Sequence, residues 1–172
     1  MEKLVSPTKG TRFIGIANHS PTMVDAILKA ATIRPKLHQF EGHPYLRQSA
    51  FVETNFKNNL TVINYAPLGN TSPAYATAGA GAPKLLTNPT ITAIAKDRGC
   101  APAQVVLAWN MNRKVIVIPK ALKKDHQAEN FAAFEKCKLL PEDITKIEGM
   151  KYNIRMLSYP CALAANACFT GL

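Results

Sequence analysis

Acidic residues are scarce in this chain. Only 11 Asp and Glu stand against 21 Lys and Arg among 172 residues, a formal net charge of +10. That imbalance points to anionic partners such as nucleotides, phosphate esters, nucleic acid or membrane surfaces. A compact Lys/Arg run is also missing. The densest group is Arg113, Lys114, Lys120, Lys123 and Lys124, which suits a local phosphate pocket. A nucleic-acid face requires a basic stripe with interleaved aromatics, so no nucleic-acid partner is expected. Long apolar runs are absent as well. No stretch reaches the length of a bilayer span, and the opening MEKLVSPTKG lacks the apolar core of a signal peptide. A cytoplasmic chain with no membrane partner is therefore expected. The four cysteines, Cys100, Cys137, Cys161 and Cys168, form no C-x-x-C pair, and none stands at metal spacing with a histidine. This excludes the common zinc patterns, and reduced thiols are the default expectation. No G-x-G-x-x-G follows a candidate strand and no P-loop occurs, which disfavours both phosphate-binding motifs. Solenoid repeats are not visible.

What remains is a globular composition, 47% apolar and 19% charged, long enough for one domain with a real core. The chain alternates strand and helix signals. Strands are predicted at Phe13–Ala17, Lys36–Phe40, Thr61–Tyr65 and Val115–Ile118. Ser20-Pro21 opens a helix through Ala30, with Ser20 as N-cap and proline at the first helical position. Helices are also predicted over Arg47–Asn58, from Asn88-Pro89 to Arg98 with Gly99 as the stop, and from Ala101-Pro102 to Asn112. The last two are His126–Phe134 and Pro141–Gly149. Strands separated by helices imply a parallel α/β sheet with right-handed crossovers. The Gly/Pro-rich stretch 70–83 exceeds usual connection lengths.

The most informative stretch is Val115–Asn130, VIVIPKALKKDHQAEN. It reads as a short buried strand stopped by Pro119, then lysines, then a helix with Asp125 as N-cap. Free backbone N–H groups and the positive end of a helix dipole favour an anion there. Polar residues gather near the C-terminal ends of all four strands: Asn18 and His19, Gln39 and Glu41, Tyr65 and Asn70, and Lys120. In parallel α/β folds that edge binds ligands, and barrels commonly seat a phosphate on the last βα loops.

Four blocks in order, FIGIAN at 13–18, HQFEGHPYL at 38–46, INYAPLGN at 63–70 and VIPKALKKDHQAEN at 117–130, resemble the aldo-keto reductases, in wording closest to fungal members. The resemblance covers roughly residues 1–149. It implies the C-terminal half of a TIM-type (α/β)8 barrel, with about the last four strands present, a domain over 1–150 and a tail over 151–172. It also implies NADP(H) as cofactor and small carbonyls or alcohols as substrates. Asn18 and Gln39 would hold the nicotinamide carboxamide, and Tyr65 would stack on the nicotinamide ring. Leu68, Gly69 and Asn70 would line the pyrophosphate path. Lys120 would face the phosphates, and Glu129 and Asn130 would meet the adenine. The chain departs from the family at Ala17, Ala66 and Ala121, where hydroxyl side chains are usual. His126 stands where an arginine grips the 2′-phosphate, and an imidazole lacks the planar bidentate fork and permanent charge.

No residue matches the family's catalytic Asp, Tyr, Lys or His, so no catalytic residue is assigned and the chain alone is expected to be inactive. Tyr45 and Tyr75 lack the lysine neighbour that a tyrosine proton donor needs. His38 and Trp109 are expected in the core, His43 as structural, and Glu41 as part of a polar ring without a second carboxylate. The terminal strands of such a half-barrel would be open edges, which favour self-association. A non-catalytic subunit or regulatory module derived from the family is the alternative reading.

Overall fold

A computed structural model describes residues 1–6, 8, 10–69 and 82–157. Asn70, most of the 70–83 stretch, Cys161, Cys168 and the tail beyond residue 157 lie outside these described residues. Four strands, β1 (Gly15–Ala17), β2 (Leu37–Glu41), β3 (Thr61–Tyr65) and β4 (Ile116–Ile118), form one parallel sheet in the order β1-β2-β3-β4. On β1 and β2 the register pairs Gly15 with Leu37, Ile16 with His38 and Ala17 with Gln39. The α/β alternation expected from the sequence is what the chain adopts. Helices α1 (Pro21–Ala30), α2 (Ser49–Lys57), α3 (Pro89–Arg98), α4 (Pro102–Asn112), α5 (Lys124–Phe131), α6 (Ala133–Lys136) and α7 (Pro141–Glu148) accompany the strands. None is long and apolar enough to cross a membrane.

The chain divides into two compact units, whose boundary passes through β2 and β3. The first contains Met1–Phe40 and Gln48–Ile63. Its α1 begins as the Ser-Pro signal requires: the Ser20 hydroxyl accepts from the Met23 N–H at 3.3 Å. That satisfies one of the orphan donors of the first turn. Val24 and Leu28, one turn apart on α1, are buried, as are Phe40, Phe51, Val52 and Leu60.

The second unit contains Glu41–Arg47 and Asn64–Ser158. Asn88 caps α3 by accepting from the Thr90 N–H at 2.8 Å. Gly99 ends α3 in the left-handed region, φ +63°, a conformation cheap only for residues without a Cβ. Helix α4 is the core of this unit. Residues 103–110 are all buried, and Trp109 is completely so, as its apolar neighbours foretold. Ile91, Ile94 and Ile147 pack in the same cluster. Arg98 clamps α3 to the start of α7 through Asp143 at 2.6 Å. Asp143 also accepts from the Leu140 N–H at 2.9 Å.

Three expectations are corrected. The strand over Val115–Ile118 was read as buried, yet Ile116 and Ile118 are 48% and 45% exposed. β4 ends the strand order, and the side of the strand that bears Ile116 and Ile118 is left uncovered among the described residues. The helix read over His126–Phe134 begins earlier, at Lys124, and is interrupted at Ala132 between α5 and α6. Lys123 takes the N-cap position, and Asp125 falls within the first turn, where a carboxylate is favourable to the helix dipole. The cysteines expected as reduced thiols include a disulfide between Cys100 and Cys137, with Cα atoms 5.6 Å apart. Packing of α6 on α4 brings together residues 37 positions apart in sequence, which no local spacing rule could detect. Alkylation without reductant should leave Cys100 and Cys137 unlabelled by mass spectrometry. Reduction should lower the unfolding free energy by about 3–4 kcal/mol through the loop entropy it restores to the unfolded chain.

Candidate functional site

In the first unit, the parallel register sets Asn18 beside Gln39. Asn18 follows β1 directly with φ +57°, a left-handed turn that asparagine tolerates better than most residues. Its backbone N–H donates to the Gln39 carbonyl at 2.9 Å. The Asn18 side chain is exposed and Gln39 is half-buried. These two predicted polar residues thus stand at the ends of adjacent strands.

The second unit holds the remaining described candidates. Tyr65 closes β3, half-buried. The chain then turns through Ala66 (φ +48°) to Gly69 (φ +63°), and the Gly69 N–H donates to the Ala66 carbonyl at 2.9 Å. A Cβ at Gly69 would lie 2.9 Å from Leu85 Cδ2, so this turn needs glycine for both φ and space. Leu68 packs against the core cluster. After β4, Lys120, Ala121, Gln127 and Asn130 line one open cleft of about 520 Å³, with Val117 and Phe131 on its apolar side. Gln127 ties helix to loop by donating to the Ala121 carbonyl at 3.1 Å. The structure therefore brings Lys120 and Asn130 together. His126 and Glu129 are outside this lining. His126 is exposed on the first turn of α5, and the Glu129 carbonyl accepts from Gln104 Nε2 at 2.9 Å.

Glu41 does more than the polar ring expected of it. It is fully buried at the end of β2. One carboxylate oxygen accepts from His43 Nε2 at 2.9 Å and from the Met156 N–H at 2.5 Å, and the other from the Leu157 N–H at 3.1 Å. The Arg155 guanidinium lies 3.7 Å away. Burial alone would raise this carboxyl's pKa, but the hydrogen bonds from His43, Met156 and Leu157 outweigh it and hold it below the ordinary value. His43 is structural, as anticipated. The next residues continue the clasp on the C-terminal segment. The Tyr45 hydroxyl accepts from Asn88 Nδ2 at 2.8 Å, and the Tyr45 carbonyl accepts from the Ile154 N–H at 2.6 Å. Arg47 donates to the Met150 carbonyl at 3.0 Å. No local sequence signal marks this role, because the backbone partners lie 115 and 116 positions away, although a buried charge always demands partners.

This arrangement limits the chemistry. Glu41 is sequestered and fully engaged, so it is no general base. Burial raises the Tyr45 pKa, opposite to the tuning a tyrosine proton donor needs. Among the described residues no group of three His, Cys, Asp or Glu could hold a metal ion.

Comparison with known proteins agrees with the four-stranded parallel α/β architecture. A family model described as the aldo/keto reductase family matches residues 2–151. Aldo-keto reductase family 1 member A1-A of Danio rerio is 36% identical over 157 residues, 91% of this chain and 47% of that protein. The structure of the aldose reductase from Schistosoma japonicum superposes with a TM-score of 0.80 at 32% identity, covering 92% of this chain and 48% of that one. A solved aldo-keto reductase complexed with NADPH gives a TM-score of 0.80 at 27% identity, with 91% and 47% covered. The chain thus spans about half the length of the curated relatives it matches, and its four strands match about half of their barrel.

Because its folded pKa is depressed, Glu41 contributes stability above the ordinary carboxylate range and loses it as pH falls through the lowered value. Acidification should therefore lower the protection factors of the Met156 and Leu157 amides before global unfolding. Glu41→Gln should cost about 1.5–3 kcal/mol in chemical denaturation, the worth of hydrogen bonds to a charged group.

Proposed function

The chain belongs to the aldo/keto reductase family, and from that premise we propose that it supplies the C-terminal, cofactor-holding part of an NADP(H)-dependent oxidoreductase barrel. In this reading residues 1–150 are the domain and 151–172 the tail. The observation that carries it is the shared cleft of Lys120 and Asn130 after β4. Its volume falls within the roughly 300–1,000 Å³ usual for small-ligand pockets. A lysine beside an amide and an apolar wall suits a phosphate joined to a heterocyclic base. Lys120 would meet phosphate, and Asn130 with Glu129 the adenine. Gly69, with no side chain and a positive φ, would let the backbone approach the pyrophosphate alongside Leu68 and Asn70. Asn18 and Gln39 would bond the carboxamide, and Tyr65 would offer its ring to the nicotinamide. NADPH, when bound, supplies a hydride to a carbonyl carbon. The residues of this chain would bind and orient it, since none matches the family's catalytic set. The substrate is then a small aldehyde or ketone, reduced only where the catalytic residues are also present.

A second reading has its own observation. Phe131 is 90% exposed, Phe134 67% and Leu122 82%, close in sequence to the exposed Ile116 and Ile118 of β4. Such exposed apolar side chains favour a module that associates with protein, as a second copy or as a subunit, through its open strand edge. Light scattering on the eluting protein separates the readings: a cooperatively melting monomer removes the second.

For the cofactor, calorimetric titration with NADPH should saturate. Lys120→Ala should weaken binding by about tenfold, or about 1.4 kcal/mol. His126→Arg should tighten NADPH and leave NADH unchanged, because only the former carries the 2′-phosphate that a guanidinium fork grips. Absence of saturable binding at millimolar NADPH would overturn the cofactor reading. Aldehyde-dependent NADPH oxidation by the pure chain would overturn its proposed inactivity.

A further inference from the structure

His38 is fully buried at the centre of the first unit, and both of its ring nitrogens are engaged. Asn55 Nδ2 donates to the Phe51 carbonyl at 2.8 Å, which fixes the amide so that its Oδ1 is the free acceptor. That oxygen lies 2.7 Å from His38 Nδ1. Nδ1 must therefore carry the proton, and Nε2 presents a lone pair. The His19 backbone N–H donates to this Nε2 at 3.3 Å. Phe40 and Phe51 close the ring in edge-on, with centroids 5.0 and 5.4 Å away.

The consequence falls on Asn18. Its left-handed turn is held on both sides: the Asn18 N–H donates to the Gln39 carbonyl at 2.9 Å, and the next N–H, of His19, to the His38 ring. The His19 ring folds back, its Nδ1–H donating to the Ala17 carbonyl at 2.8 Å. We propose that His38 is the positioning residue for Asn18: a neutral imidazole, set in one tautomer by Asn55, pins the turn that presents the Asn18 amide to the carboxamide of the cofactor. This rests on the reading of Asn18 given above and adds a dependence on the protonation of a residue that touches no ligand. His19 is the titratable group facing the ring, from the turn after β1. Helix α2 presents Asn55 and Phe51, and β2 presents Phe40, none of them charged. Burial and the neighbouring His19 hold His38 below the ordinary imidazole pKa against the opposing bond to Asn55. Protonation of Nε2 would set two donors face to face and release the turn, so the pin is intact at neutral pH and lost on acidification.

The experiment uses the full chain, with amide exchange followed by NMR and NADPH affinity by calorimetry. His38→Phe keeps an aromatic ring but removes both nitrogens. It should speed exchange at the His19 amide and weaken NADPH, each by about tenfold, the worth of one hydrogen bond. His38→Gln, which returns an acceptor oxygen, should recover both, whereas a role in core packing alone would not be restored by a polar side chain. Unchanged His19 exchange in His38→Phe overturns the pin. Faster exchange with unchanged NADPH affinity overturns its link to Asn18. If the unsubstituted chain binds no NADPH, the cofactor reading fails and the link to ligand binding falls with it, while the His19 amide still reports on the pin. Should His38→Phe not fold, ring 15N shifts of the unsubstituted protein decide the tautomer: a proton on Nε2 at neutral pH overturns the proposal.

Discussion

The parallel register of β1 on β2 is the constraint on which the first unit depends. Ile16 pairs with His38 and Ala17 with Gln39. Side chains alternate across a strand, so a slip by one residue would exchange the faces of His38 and Gln39. His38 would lose Asn55 below, and the turn after β1 would lose its imidazole acceptor. The same register sets Asn18 at the end of β1 next to Gln39 on β2, one polar pair at the strand ends. Parallel strands return by crossover, and here α1 provides it, started by the Ser20 cap and the proline behind it. Local helix chemistry and the pairing of distant strands therefore meet at the same turn.

In the second unit the scarce acids carry the architecture. Two of the chain's 11 carboxylates, Glu41 and Asp143, are fully buried, and each joins segments far apart in sequence. Glu41 accepts from His43 and from the backbone of Met156 and Leu157. Asp143 joins Arg98 and the start of α7. With 11 acids against 21 Lys and Arg, the carboxylates are too few to pair one to one with the cations. Buried carboxylates need full satisfaction, whereas exposed lysines such as Lys120, Lys123 and Lys124 remain available to an external anion.

Legibility followed the range of the interaction. Ser20-Pro21, Asn88-Pro89 and Gly99 each act within one turn of their own position, and α1, α3 and β3 have the bounds read from sequence. The strand-end polar residues were legible because a strand's end is itself a local signal. The clustering of Lys120 with Gln127 and Asn130 was partly legible, since one short loop and two helical turns join them. Longer connections were not. The bond from Cys100 to Cys137 depends on α6 lying on α4. The exposure of Ile116 and Ile118 depends on what packs over their side of β4, and an apolar run reads the same whether covered or open.

By itself, the sequence determined the alternation of strand and helix, the caps and stops, and the order of the polar strand ends. All of these follow from backbone preferences and spacing of 2.0 or 3.6 residues, which act over a few positions. Tertiary structure alone decided which titratable groups are sequestered and which face solvent. Glu41 became a clasp rather than a polar ring member, and His38 a neutral anchor rather than inert core, because desolvation and hydrogen-bond geometry depend on neighbours from other elements. Those neighbours, Met156 and Leu157 for one and Asn55 and His19 for the other, have no fixed distance in sequence from the residue they control.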